Sequence, residues 1–118
     1  MQALKDEVAP TINGDGEQTR DFTFVENAVQ ANIRGFFAGE AATNEVYNIA
    51  YGERISLNTL WESLQQVSSA ELQANYGPPR KGDVRDSLAN IDKAKQLLEY
   101  NPLFSVQEGL KKTWEAFQ

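Results

Sequence analysis

Apolar residues recur along this chain at two spacings, and most of them follow the helical one. From Val25, apolar side chains stand three or four apart (Val25, Ala28, Val29, Ile33, Phe36, Phe37), which places them on one helical face until Gly39 can end it. Thr23 and Glu26 have the spacing of a capping box and predict that this helix starts there. A second stripe, Leu57, Leu60, Trp61 and Leu64, follows Ser56, whose hydroxyl can cap a helix end. Ile91, Ala94, Leu97 and Leu98 form a third behind Asn90. Val106, Leu110, Trp114 and Phe117 form a fourth, opened by the capping-box pair Ser105 and Glu108. The shorter period is weaker. "PTINGDGEQTRDFTFV" reads as two extended pieces around a Gly14-Asp15-Gly16 turn, a hairpin. "EVYNIAYG" predicts a strand over residues 45–50, and another short strand is expected near Gln73–Tyr76 before Pro78 and Pro79 stop it. Residues 1–8 read as the end of a helix. The fold class expected is mixed α/β, a small domain with about four helices and three or four short strands.

Composition narrows the chemistry. With 118 residues, 41% hydrophobic and 24% charged, the chain fits one small globular domain. No apolar run approaches bilayer length, and "MQALKDEVAP" lacks the apolar block and cleavage site of a secretory signal. There is no cysteine, so disulfides are excluded and the expected location is cytoplasmic. A net charge of −6 argues against nucleic acid, whose phosphate backbone asks for a basic face, and no membrane partner is expected. Without His or Cys, thiolate chemistry, histidine acid–base catalysis and the usual zinc sets are unavailable. No catalytic residue and no metal ligand is assigned.

One block runs against the acidic balance. "RKGDVRDS", residues 80–87, places three of the chain's 11 basic residues inside six positions. Like charges crowded on a loop repel unless the interleaved Asp83 and Asp86, or a bound anion, offset them. The strands are few and scattered and two helices carry broad apolar stripes, so the chain reads as part of something larger.

"INGDGEQTRDFTFVENAVQAN", "VYNIAYGERISLNTLW", "YGPPRKGDVRDSLANIDKAKQLLEYNP" and "SVQEGLKKTWEAF" together resemble the C-terminal third of NAD-dependent nucleotide-sugar epimerases of the extended short-chain dehydrogenase/reductase family. The likeness runs from about Pro10 onward and is strongest to UDP-N-acetylglucosamine 4-epimerases. It implies that residues 1–118 are a C-terminal substrate-binding domain whose parent takes a hydride from C4 of a UDP-sugar onto NAD and returns it to the other face. It also implies a glycine-rich dinucleotide turn and a Tyr-x-x-x-Lys pair, and neither is here. "GDGEQTR" lacks the third glycine, and Tyr76 is followed four residues later by Arg80, which cannot hand on a proton. The chain is therefore expected to lack the Rossmann half, to bind no cofactor and to be inactive alone. A homodimer is expected through the apolar surface the missing half would cover.

The resemblance also implies site residues. Arg20 of "TRDF" and Arg80 of the R-x-G-D block would hold the UDP diphosphate, a task that suits a permanently charged guanidinium fork. Otherwise both are solvated loop arginines, or partners for Asp21 and Asp83. Asp83 would accept from the ribose hydroxyls, or else is an ordinary turn aspartate. Ser87 falls where simple hexose epimerases of the family carry a bulky tyrosine, so its small side chain would leave room for an acetamido group; the plain alternative is a turn serine. Arg85 and Asp86 are read as bridging one another or capping the next helix. Tyr47, Trp61 and Trp114 are read as core packing. The rivals are the same domain of a dTDP-sugar dehydratase or UDP-glucuronate decarboxylase, and a non-catalytic module that binds UDP-sugars or only self-associates.

Overall fold

The computed structural model describes residues 1–118. Five α-helices and four short strands follow in the order α1 (Gln2–Lys5), β1 (Thr11–Asn13), β2 (Thr19–Arg20), α2 (Val25–Phe36), β3 (Ile55–Ser56), α3 (Leu57–Ser68), β4 (Asn75–Gly77), α4 (Asp92–Leu98) and α5 (Val106–Phe117), with a 3-10 turn at Glu40–Ala42. The mixed α/β class expected from the pattern is the one observed.

Helix starts obey local chemistry where a side chain is free to cap. Ser56 Oγ accepts from the Thr59 N–H at the head of α3, and Ser105 and Glu108 close a reciprocal capping box on α5. The box expected at Thr23 and Glu26 does not form. Thr23 Oγ1 accepts instead from the Tyr51 N–H at 3.1 Å, and α2 opens at Phe24 without a side-chain cap.

The hairpin is also corrected, because β1 and β2 flank the glycine turn without pairing. β1 runs parallel to β4 in the register Thr11–Asn75, Ile12–Tyr76, Asn13–Gly77, and β2 runs antiparallel to β3. The second arm is drawn away by the start of α3, where the Leu57 N–H donates to Gln18 O at 3.2 Å and the Asn58 N–H to Gly16 O at 3.0 Å. Residues 45–50 form no strand. Side chains fix the segment instead: Lys93 Nζ donates to Val46 O and Tyr100 Oη to Ala50 O, while the segment's own Tyr47 Oη donates to Ala42 O. A run of β-formers becomes a strand only with a neighbour to pair with, and none lies alongside.

The packing is thin. The main cluster comprises Ala31, Ala42, Ala50, Ile91, Ala94, Leu98 and Tyr100, four alanines among seven residues, between α2 and α4. The molecule measures 51 × 33 × 16 Å, and its radius of gyration of 16.7 Å exceeds the roughly 13.5 Å of a compact chain this long. Asn27, fully buried, ties α2 to the segment before α5: its Oδ1 accepts from the Leu103 and Phe104 N–H groups and its Nδ2 donates to Phe104 O. Close by, Phe24 meets Phe104 edge to face, and the missing side chain of Gly109 lets α5 approach Phe24. The small residues of α2 face inward, whereas Val25, Val29, Ile33, Phe36 and Phe37 are exposed, the two phenylalanines at 83% and 78%. No helix is long and apolar enough to cross a membrane.

Candidate functional site

A glycine turn builds one wall of the candidate cleft. Gly14 and Gly16 both have φ of +76°, a conformation glycine adopts without strain. A Cβ on Gly16 would collide with the Asn58 amide, so that glycine serves the packing of α3 against the turn. Asn58 Nδ2 donates to Asp15 O, and its Oδ1 accepts from Tyr76 Oη at 2.8 Å. Arg85 clamps the turn from outside through both Asp15 carboxylate oxygens, at 2.8 and 3.0 Å. That pairing holds the Asp15 carboxyl below the usual carboxylate range and pushes the Arg85 guanidinium up.

Between this turn, β1 and α3 lies a cleft of two adjoining chambers. The first, of about 350 Å³, is lined by the apolar Ile12, Leu57, Leu60, Trp61 and Leu64 and by the polar Asn13, Gln18, Arg20, Arg80 and Asp83. The second, of about 480 Å³, continues past Gly14, Pro79 and Arg85 and shares Asn13, Gln18, Arg80 and Asp83 with the first. Both volumes fall in the roughly 300–1,000 Å³ range of small-molecule sites. The lining combines apolar and aromatic side chains with arginines, which suits a ligand with a planar or apolar part joined to an anionic one.

Three of the four residues singled out from the sequence meet here. Arg20, at the end of β2, pairs through Nη2 with Asp83 Oδ1, and its Nη1 donates to Thr19 O at 2.6 Å. Arg80 lines both chambers, and its guanidinium has neither a carboxylate nor a hydrogen-bonding partner. Ser87 is not brought into the cleft. It is exposed, and its backbone N–H donates to Thr19 O at 3.2 Å, which keeps residues 86–87 alongside β2.

Neighbouring expectations are redistributed. Asp21 is no partner for Arg20, because its two oxygens accept from the Tyr51 and Gly52 N–H groups at 3.1 and 3.0 Å and fix that loop. Arg85 and Asp86 neither bridge one another nor cap a helix: Arg85 holds Asp15, and Asp86 accepts from Thr19 Oγ1 at 2.7 Å. Trp61 is a cleft wall rather than a core residue; its indole N–H donates to Leu72 O. Trp114 is half-buried and stacks on Phe117, and Tyr47 packs against the alanine cluster. Sequence reasoning passed over Gln18, buried in the wall shared by both chambers. Its signal was available, since residues two apart in an extended segment share a face and Gln18 stands two before Arg20.

A family profile described as GDP-mannose 4,6 dehydratase matches residues 1–113. The chain belongs to that family. Among solved structures it superposes on the UDP-glucose 4-epimerase with UDP-glucose from Thermotoga maritima with a TM-score of 0.91 and 38% identity, over 98% of this chain and 37% of that one. The UDP-glucuronic acid 4-epimerase of Bacillus cereus, solved with UDP-glucuronic acid and NAD, gives 0.89 and 28% over 97% and 36%. The UDP-N-acetylglucosamine 4-epimerase of Methanobrevibacter ruminantium, in complex with UDP-N-acetylmuramic acid, gives 0.85 and 31% over 98% and 36%. The resemblance to nucleotide-sugar epimerases is thereby borne out. The chain spans about a third of the length of the curated relatives it matches.

NAD is held by that Bacillus cereus relative, but the residues of this chain do not fit it. The one parallel strand pair, β1 with β4, is three residues long, and β1 runs through the glycine turn into β2 rather than into a helix. The helix N-terminus that does meet the turn, that of α3, has its first N–H groups spent, Leu57 on Gln18 O, Asn58 on Gly16 O and Thr59 on Ser56 Oγ, so none is open to a pyrophosphate.

Proposed function

We propose that this chain is the UDP-sugar-gripping, C-terminal substrate-binding part of an NAD-dependent nucleotide-sugar 4-epimerase acting in the cytoplasm. The observation that carries this reading is the meeting of Arg20, Arg80 and Asp83, drawn from separate segments, in one cleft with an apolar wall. Arg80, free of any counter-charge, and Arg20 would take the diphosphate oxygens as charge-assisted hydrogen bonds, and Asp83 the ribose hydroxyls. The hexose would leave the cleft along residues 83–87, where the small Ser87 leaves space for an N-acetyl group. Dinucleotide binding and the hydride step would fall to residues outside this chain, so residues 1–118 alone are expected neither to bind NAD nor to interconvert UDP-sugars.

Calorimetric titration tests this. UDP should bind and NAD should not, and Arg20→Ala or Arg80→Ala should each weaken UDP by about 1.5–3 kcal/mol, the scale of a charged hydrogen-bonded contact. Two single variants that bind UDP like the parent would remove the diphosphate assignment, and turnover by the purified chain would remove the fragment reading. In an active enzyme carrying this domain, Ser87→Tyr should lower activity on N-acetylated UDP-sugars more than on unsubstituted ones. Equal loss on both would rule out the gate.

The exposed stripe of α2 favours a second property, self-association as a homodimer. Several large apolar side chains on one face form a patch that water drives against a second copy, and a symmetric pair is the simplest closed arrangement.

A further inference from the structure

Gln18 is 6% exposed, and its carboxamide is half satisfied: Nε2 donates to Asn13 O at 2.7 Å, while the buried Oε1 has no partner. The amide cannot be relieved by flipping, since that would set its oxygen against the Asn13 carbonyl and bury unpaired N–H donors instead. The acceptor is therefore held in place, and it lacks a donor. A buried acceptor left unmade is costly, so its persistence calls for a donor that arrives. Arg80 is the complementary case. Its five N–H donors have no partner, and it lines both chambers that Gln18 lines.

We propose that Gln18 is a positioning residue for Arg80: when a diphosphate draws the guanidinium into the cleft, one N–H that the phosphate leaves free is accepted by Gln18 Oε1. This rests on the diphosphate reading given above. A guanidinium that spends two donors on phosphate oxygens has three left, and anchoring one on a rigid acceptor aligns the fork for bidentate contact. Arg20 needs no such support, because Thr19 O and Asp83 already orient it. The cleft thus has one arginine set in advance and one set by the ligand, with Gln18 as the stop against which the second closes.

The test uses inorganic pyrophosphate beside UDP on residues 1–118, with Gln18→Met, Arg80→Ala and the double variant. Gln18→Met should weaken pyrophosphate and UDP alike, by about tenfold, and should change either by less than about twofold once Arg80 is gone. If Gln18 instead accepts from a ribose hydroxyl, Gln18→Met weakens UDP but leaves pyrophosphate unchanged, and the proposal fails. A loss that persists at full size in the Arg80→Ala background marks a structural role and also overturns it. Should Gln18→Met melt far below the parent, side-chain NMR of the unaltered Gln18 decides: pyrophosphate should shift its carboxamide carbon in the parent and not in Arg80→Ala, and equal shifts in both refute the idea. A parent that binds neither ligand removes the diphosphate reading itself, and with it this one. Binding without coupling removes only this one.

Discussion

The cleft and the outer face of α2 are built on opposite plans. Around the cleft, polar groups are spent on backbone: Asn58 on Asp15 O, Gln18 on Asn13 O, Asp21 on the Tyr51 and Gly52 N–H groups. On α2 the buried side is Ala31 with Asn27, and the large apolar residues Val25, Val29, Ile33 and Phe36 stand 49–83% exposed. The cleft is organised by contacts within the chain, whereas the α2 face keeps large apolar side chains exposed. Preorganised polar loops suit ligand capture, and an uncovered apolar stripe suits association.

Breaking the α2 side should have the largest effect. Each large apolar side chain buried in a contact contributes roughly 1.5–3 kcal/mol, so Ile33→Asp with Phe36→Asp should convert a dimer into a monomer. Sedimentation velocity over a range of concentrations checks this, and a parent that stays monomeric throughout, with no dye-binding patch, would leave the stripe without the proposed role.

A glycine exchange sharpens the contrast at smaller amplitude. Gly16→Ala places a Cβ against Asn58 at a positive φ and should lower stability by about 1–3 kcal/mol. Gly35→Ala, in α2 with open space around it, should raise stability by about 0.5–1 kcal/mol. Urea midpoints of the two variants shifting in the same direction would contradict the comparison.

Helix starts give the smallest expected difference. α5 has a capping box and α2 has no side-chain cap, so Ser105→Ala should cost about 1 kcal/mol while Thr23→Ala should disturb the Tyr51 loop rather than the helix. Hydrogen bonds from Ser105 hold the Glu108 carboxyl below the usual carboxylate range. A depressed carboxylate contributes its stability above the ordinary range and loses it as pH falls through the lowered value. Glu108→Gln should therefore be less stable than the parent at neutral pH and should draw level with it under acid. A constant gap across that range in pH-dependent urea unfolding would contradict the assignment.

Much of the secondary structure was legible because its causes are local. Ser56 and Ser105 cap the helices they precede, and the stripes around Leu60, Ala94 and Leu110 belong to real helices, since both depend on residues three or four apart. The strand expected over residues 45–50 failed for want of a neighbour, and two other failures involve a distant competitor. Thr23 was claimed by Tyr51, 28 residues on, and the second arm of the expected hairpin by the start of α3.

The same division holds at the site. Residue type and order alone determined that this chain has no cysteine, no histidine and no third glycine in its Gly-Asp-Gly turn, and the resemblance to a nucleotide-sugar family is what singled out Arg20, Arg80 and Asp83. Only the tertiary structure decided that Arg20 turns to Asp83, 63 residues away, that Arg80 stays unpaired, that Ser87 lies outside the cleft and that Gln18 is buried with an open acceptor. Charge and hydrogen-bonding capacity are properties of a residue, but which partner satisfies them depends on what the fold brings within about 3 Å, and no spacing along the chain encodes that distance.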